Sequence, residues 1–98
     1  MAVLTTTIAA AEFLLRNRLR KSFVVQNEDA TDAVYIKQER TVTPTVSATD
    51  HDHRLGPGSA IALNFGTDGS EAIQDRWSCI ASANTPLISF FETEDIVR

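Results

Sequence analysis

From Arg20 to Asn27 the chain reads Arg-Lys-Ser-Phe-Val-Val-Gln-Asn, and a short polar loop, Glu28 to Asp32, separates it from Val34-Tyr35-Ile36. Both runs are rich in β-branched and aromatic residues, which fit a pleated, half-buried surface. The first ends on Asn, which tolerates turn geometry and bonds its own backbone. Two such runs joined by so short a polar loop predict an antiparallel pair. A chain that must satisfy this pair is steered toward an all-β fold.

The rest of the sequence repeats the pattern. Phe23 and Val25 alternate with Val24 and Gln26, and Val34 and Ile36 with Tyr35 and Lys37, as period-two geometry requires. Leu55-Gly56-Pro57-Gly58 predicts a turn in which Pro fixes φ and Gly58 takes the positive φ of a type II turn. Ser59 to Phe65 is the cleanest strand, with Ile61, Leu63 and Phe65 opposite Ala60, Ala62 and Asn64. Gly66 to Ser70 breaks it, and Glu71 to Asp75 reads as one helical turn or a loop. Arg76 to Ala83 places Trp77, Cys79 and Ala81 on one face. After the turn Asn84-Thr85-Pro86, Leu87 to Thr93 forms a final strand, with Leu87 and Phe91 opposed to Ile88 and Phe90.

Three stretches read differently. Residues 1–7 predict an extended, β-prone arm through Val3, Leu4 and three threonines. Ile8 to Arg20 holds good helix formers, and Ile8, Ala11, Leu15 and Leu19 approximate a helical face, so a short helix or turn is expected there. Thr41 to Thr49 is rich in Thr and Val, but Pro44 makes it an edge strand or irregular, and Asp50 to Arg54 reads as a polar loop. The expectation is a small antiparallel β-sandwich of six or seven short strands over residues 8–98, preceded by the arm 1–7.

Length allows one core and no second domain: the chain has 98 residues, of which 43% are hydrophobic and 22% charged. A formal net charge of −4 argues against nucleic-acid binding, which needs a basic face to displace counterions. Cys79 is the single cysteine, so an intrachain disulfide is excluded. The apolar patch Ile8 to Leu15 is interrupted by Glu12 and followed, not preceded, by its basic residues, which is the reverse of a secretory signal. It is also too short to span a bilayer. The sequence is expected to make a protein synthesised in the cytoplasm that engages neither membrane nor nucleic acid.

Few residues carry candidate chemistry. Asp50-His51-Asp52-His53 holds ligand-type side chains, and His51 and His53 on one strand face could share a transition metal. A metal site needs three or four fixed ligands and supporting contacts, so a solvated loop is the plainer reading. Cys79 lacks an activating base in its sequence surroundings and reads as a small buried hydrophobe. No cofactor is implied. Trp77, Tyr35 and Phe65 could stack on a sugar if exposed, but alternation with Cys79 and Ala81 makes Trp77 a core residue. Arg16, Arg18, Arg20 and Lys21 form the densest positive cluster, suited either to an acidic partner surface or to a solvated edge. With Val3 and Leu4 of the arm, these four are the candidate partner contacts.

The Arg-Lys-Ser-Phe-Val-Val-Gln-Asn strand, Val34-Tyr35-Ile36, the turn Leu55-Gly56-Pro57-Gly58-Ser59 and a closing apolar strand ending on Glu92 together resemble small structural proteins of tailed bacteriophages. The resemblance runs from Ile8 to Glu92; the arm before Phe13 and the long polar stretch Gln38 to His53 depart from it. It implies a non-enzymatic β-sandwich in the virion. The leading expectation is a capsid decoration or cement protein on the outer shell, contacting the major capsid protein or other virion proteins as a homo-oligomer or symmetric array. A head-to-tail connector, tail-associated or fibre-base protein is the alternative within the virion, and a carbohydrate- or receptor-binding module the alternative outside it.

Overall fold

The computed structural model describes residues 2–18, 20–64 and 74–94. They form β1 (Ala2–Thr5), β2 (Ala11–Leu14), β3 (Arg20–Asn27), β4 (Val34–Glu39), β5 (His53–Leu55), β6 (Ala60–Asn64), β7 (Arg76–Ala81) and β8 (Leu87–Glu94). The strands lie in two four-stranded sheets, in the orders β1-β8-β3-β6 and β2-β7-β4-β5, and every pairing is antiparallel. The all-β class therefore holds, with almost no helix among the described residues. Expectations that fall on Met1, Leu19, Phe65 to Ile73 and Asp95 lie outside those residues.

Eight strands are described where six or seven were expected, and the reasons are local. The short helix or turn expected over Ile8 to Arg20 is instead strand β2, with irregular chain on either side, a turn at Arg18 and β3 beginning at Arg20. Its register against β7 runs Ala11↔Cys79, Glu12↔Ser78, Leu14↔Trp77, so Phe13 is an extra residue in a bulge. The bulge lets the consecutive residues Phe13 and Leu14 both be buried, a spacing that imitates a helical face. Alanine's helical preference is worth a few tenths of a kcal/mol per residue, whereas burying a Phe or Leu side chain gains about 1.5–3 kcal/mol. Packing wins.

The second extra strand is β5, within the stretch expected as a polar loop. Leu55 enters the core while Arg54 faces solvent, and this short, polar strand pairs with β4 at the sheet edge. Thr41 to Thr49 is irregular, with one isolated bridge between Ser47 and Asp50. The arm is extended as expected, but it is paired: β1 runs along β8 from Ala2↔Phe90 to Thr5↔Leu87. Thr6 continues the attachment, its N–H and its Oγ1 both donating to Pro86 O at 2.9 and 2.6 Å.

Both sheets contribute to one apolar cluster. Phe23 and Val25 of β3, Leu63 of β6 and Ile88 of β8 share it with Phe13, Leu14, Val34, Ile36, Leu55, Trp77 and Cys79 of the other sheet. Edge-on aromatic pairs run from sheet to sheet: Phe23 with Trp77 at 5.2 Å and Phe13 with Phe90 at 5.3 Å between centroids. Each such pair adds about 0.5–1.5 kcal/mol beyond the area it buries.

One polar device closes an end of the fold. Asn27, fully buried, donates through Nδ2 to the carbonyls of Asp32, Leu55 and Gly56 at 2.8, 3.1 and 3.2 Å, while its Oδ1 accepts the Asp29 N–H at 3.0 Å. It thereby ties the end of β3 to two loops. The turn it touches has the expected form, with Ser59 N–H donating to Gly56 O at 3.0 Å and Gly58 at φ 73°.

Candidate functional site, an uncharged sheet face

The outward faces of the two sheets differ in chemistry. On the β2-β7-β4-β5 sheet, Tyr35, Lys37 and Glu39 alternate with the inward Val34 and Ile36. The chain from Arg40 to Asp52 folds back over this side. Lys37 Nζ donates to Thr45 Oγ1 and Asp50 Oδ2 at 2.8 and 2.7 Å, and the Asp50 hydrogen bond raises the lysine's pKa. Asp52 Oδ2 accepts the Gln38 N–H at 2.8 Å. Arg76 pairs with Glu12 at 3.2 Å.

Glu39 is the buried charge of this side. Burial pushes its carboxyl upward, but hydrogen bonds from Ser78 Oγ at 2.5 Å, the Thr45 N–H at 2.6 Å and Thr45 Oγ1 at 2.8 Å outweigh that, and the pKa lies below 4.5. A hollow of about 320 Å³ beside it is lined by Lys37, Gln38, Glu39, Arg40, Thr41 and Thr45. The Glu39 oxygens inside it are already engaged by the chain itself. This face is charged, covered and internally satisfied.

The β1-β8-β3-β6 sheet presents the opposite. Register places Val3, Ser89, Gln26 and Ala60 in one outward row, Phe91, Val24 and Ala62 in the next, and Thr93, Ser22 and Asn64 in a third. Thr5 and Leu87 extend it at one end. None of these residues is charged. Val3, Leu87 and Phe91 are 57%, 40% and 43% exposed. Ser22 and Thr93 share a hydrogen bond of 2.6 Å across β3 and β8, confirming that they lie on one side. A carboxylate reaches the rim at Glu28, whose Oε1 accepts from Ser89 Oγ at 2.5 Å. Among the described residues the other well-exposed apolar side chains, Ile8, Leu15 and Val42, stand singly in connections.

The residues singled out from sequence fall in several places. Val3 is on the uncharged outer face, whereas Leu4 alternates inward and packs against the core. Arg16 and Arg18 are exposed in the connection between β2 and β3, and Lys21 is exposed on β3. Arg20 does not join them. It is 1% exposed, with its Nη1 and Nη2 donating to Asp75 O and Leu15 O at 3.0 and 2.5 Å and its Nε donating to Glu92. The register shift between Arg20 and Ser22 breaks the alternation and turns it inward, so it serves the fold and is withdrawn from any partner.

His51 and His53 do not share a face. The His51 ring lies against Tyr35 at 4.6 Å, outside the sheet, whereas the His53 ring stacks on Trp77 at 6.1 Å, on the inner side. The strand begins only at His53, and the Asp52 N–H donating to Ile36 O sets the entry, so the two rings point apart. Among the described residues no group of three or more His, Cys, Asp or Glu side chains could hold a metal ion. Cys79 is buried, and burial pushes its thiol up to about 12, far from nucleophilic range. Trp77 is 2% exposed and belongs to the core; of the other two aromatics named for a sugar site, Tyr35 lies against His51 and Phe65 falls outside the described residues.

The outer apolar row was missed from sequence, although one signal pointed to it. In β8 the residues Leu87 and Phe91 are apolar on one side and Ile88 and Phe90 on the other. Apolar side chains on both faces of one strand mark a strand covered on both faces. Among the described residues the chain itself covers only the inner one. No protein-family model, curated protein or solved structure matches this chain.

Proposed function

We propose that the chain is a non-enzymatic structural protein of a bacteriophage particle, acting as a decoration or cement protein on the outer shell, and that its two sheets pack as a β-sandwich. The sandwich is supported by Phe23 meeting Trp77 and Phe13 meeting Phe90 from opposite sheets. The virion setting rests on the sequence resemblance. The structural role is supported by one observation above the others: the outer face of the β1-β8-β3-β6 sheet is uncharged, with Phe91, Val3 and Leu87 exposed upon it. An apolar face of this kind, left uncovered by its own chain, marks a surface for protein contact.

The physics of a repeated shell suits such a face. A small domain gains stability when it binds a lattice, because binding draws on the folded state alone. Repetition over a symmetric lattice lets a modest contact act many times. The partners are the major capsid protein or other virion proteins, together with further copies of this chain in a homo-oligomer or symmetric array. Quantitative mass spectrometry of particles from the genome that encodes the chain tests this. A copy number of the same order as the shell protein is expected. A few copies per particle would move the protein to a connector or fibre base, and its absence from particles would end the virion reading.

A further inference from the structure

We propose that the uncharged outer face of the β1-β8-β3-β6 sheet docks onto the same face of a second copy, giving a two-fold symmetric, sheet-on-sheet dimer. The inference rests on reading that face as a contact surface and names its partner.

Charge is the first reason. The chain carries a formal net charge of −4, so two copies repel unless they meet where charge is lacking. The opposite sheet offers Lys37, Arg54, Glu12 and Arg76 on its outside, whereas the three rows described above carry no formal charge and the Glu28 carboxylate bonded to Ser89 stands at their rim. Desolvating such a face costs far less than desolvating ions.

Self-complementary chemistry is the second. The polar members Ser22, Thr93, Gln26, Ser89 and Asn64 carry hydroxyl and amide groups that both donate and accept. A copy of the same face can answer each of them without leaving a group of one kind only. A partner built from a single sign of charge could not.

Shape is the third. The middle row runs Phe91 on β8, Val24 on β3 and Ala62 on β6, a large side chain and a small one flanking a central valine. A two-fold axis lying along β3 carries β8 of one copy over β6 of the other. Phe91 then sits on Ala62 of the second copy, the reverse contact repeats it, and Val24 meets Val24. This reciprocity is what an isologous interface demands. Three facing strands at about 4.8 Å spacing make a small footprint, toward the low end of specific interfaces. The expected dissociation constant is therefore on the order of 10–100 μM, in the range of weak, reversible contacts.

Sedimentation equilibrium of the full chain, from micromolar concentration to about 1 mM, tests the proposal. The expected result is a monomer–dimer equilibrium that added salt does not weaken, since no ion pair holds it. Val24→Lys and Val24→Asp should each weaken dimerisation at least about 100-fold, because like charges are brought together at the axis. An equimolar mixture of the two should recover a dimer. Val24 is half-buried on an outer face, so both variants should fold; Ala62→Lys, at an exposed position, repeats the test if they do not. A wild-type chain monomeric to about 1 mM, or a Val24→Lys chain that dimerises as wild type does, overturns the proposal. A monomer that still decorates shells would overturn the dimer alone. A dimer absent from particles would overturn the decoration reading alone.

Discussion

Arg20 Nε donates to Glu92 Oε2 at 2.5 Å, linking β3 to β8 from a position that is almost wholly buried. The same guanidinium reaches the carbonyls of Leu15, just after β2, and Asp75, just before β7, so one side chain holds segments of both sheets. Its Cζ also lies over the Phe23 ring, 5.9 Å from the centroid.

Arg20→Met should therefore destabilise the protein by about 2–4 kcal/mol, below the largest buried-pair losses because Glu92 is one-third exposed. Arg20→Lys should rescue little, since an ammonium lacks the planar fork that serves three acceptors at once. Urea denaturation measures both. A Lys variant with the wild-type midpoint would reduce the arginine's role to charge alone.

Glu39 sets the acid limb of stability. Its folded-state pKa lies below the usual 4.5, so the folded state binds that proton less readily than the unfolded state. The group therefore contributes stability above pH 4.5 and loses it as pH falls through the folded value. Glu39→Gln should be less stable than wild type at pH 7, with the two stabilities converging on acidification. Thermal unfolding over a pH series checks this, and parallel curves would show that the Ser78 and Thr45 hydrogen bonds do not favour the ionised form.

Cys79 and Trp77 report on the same core. A thiol pushed up to about 12 and buried should resist a disulfide reagent at pH 8 until the protein opens. Trp77, equally buried, should emit at short wavelength and be poorly quenched by iodide. Labelling in rising urea should then track the tryptophan red shift. Rapid labelling of the native protein would contradict the packing of β7.

Deleting residues 2–7 should lower the unfolding midpoint, because β1 and Thr6 cover the outer edge of β8. The loss includes the inward side chain of Leu4 and the Thr6 bonds to Pro86. Circular dichroism melts of the full and shortened chains measure it. Equal melts would mean that β1 pairs without contributing stability.

Strands with strict alternation were legible from sequence, and the inward positions of Ile61, Leu63, Trp77, Cys79 and Ala81 follow from their period. So was the Gly58 turn, because positive φ has so few hosts. β2 was not legible, since its bulge sets Phe13 and Leu14 side by side where alternation should separate them. The role of Arg20 was hidden for a related reason: its neighbours Arg16 and Arg18 are exposed, and another register shift separates Arg20 from Ser22. The outer face was partly legible in the double apolarity of β8, but which of its sides the chain would cover depends on sheet order. Sheet order is set by contacts between residues far apart in sequence, beyond the reach of any local pattern.

That sheet order also bears on synthesis. Among the described residues β1 pairs only with β8, so the first of these strands to leave the ribosome waits for the eighth before it finds a neighbour. β3 likewise gains one of its two partners only when β8 emerges. Closing loops of this length is slow, and until it happens the edges of β1 and β3 and the apolar side chains of β8's future neighbours stand open. Folding on the ribosome is thus deferred to the end of translation of this domain, and the nascent chain spends that interval as a natural client for chaperones that shield unpaired strands.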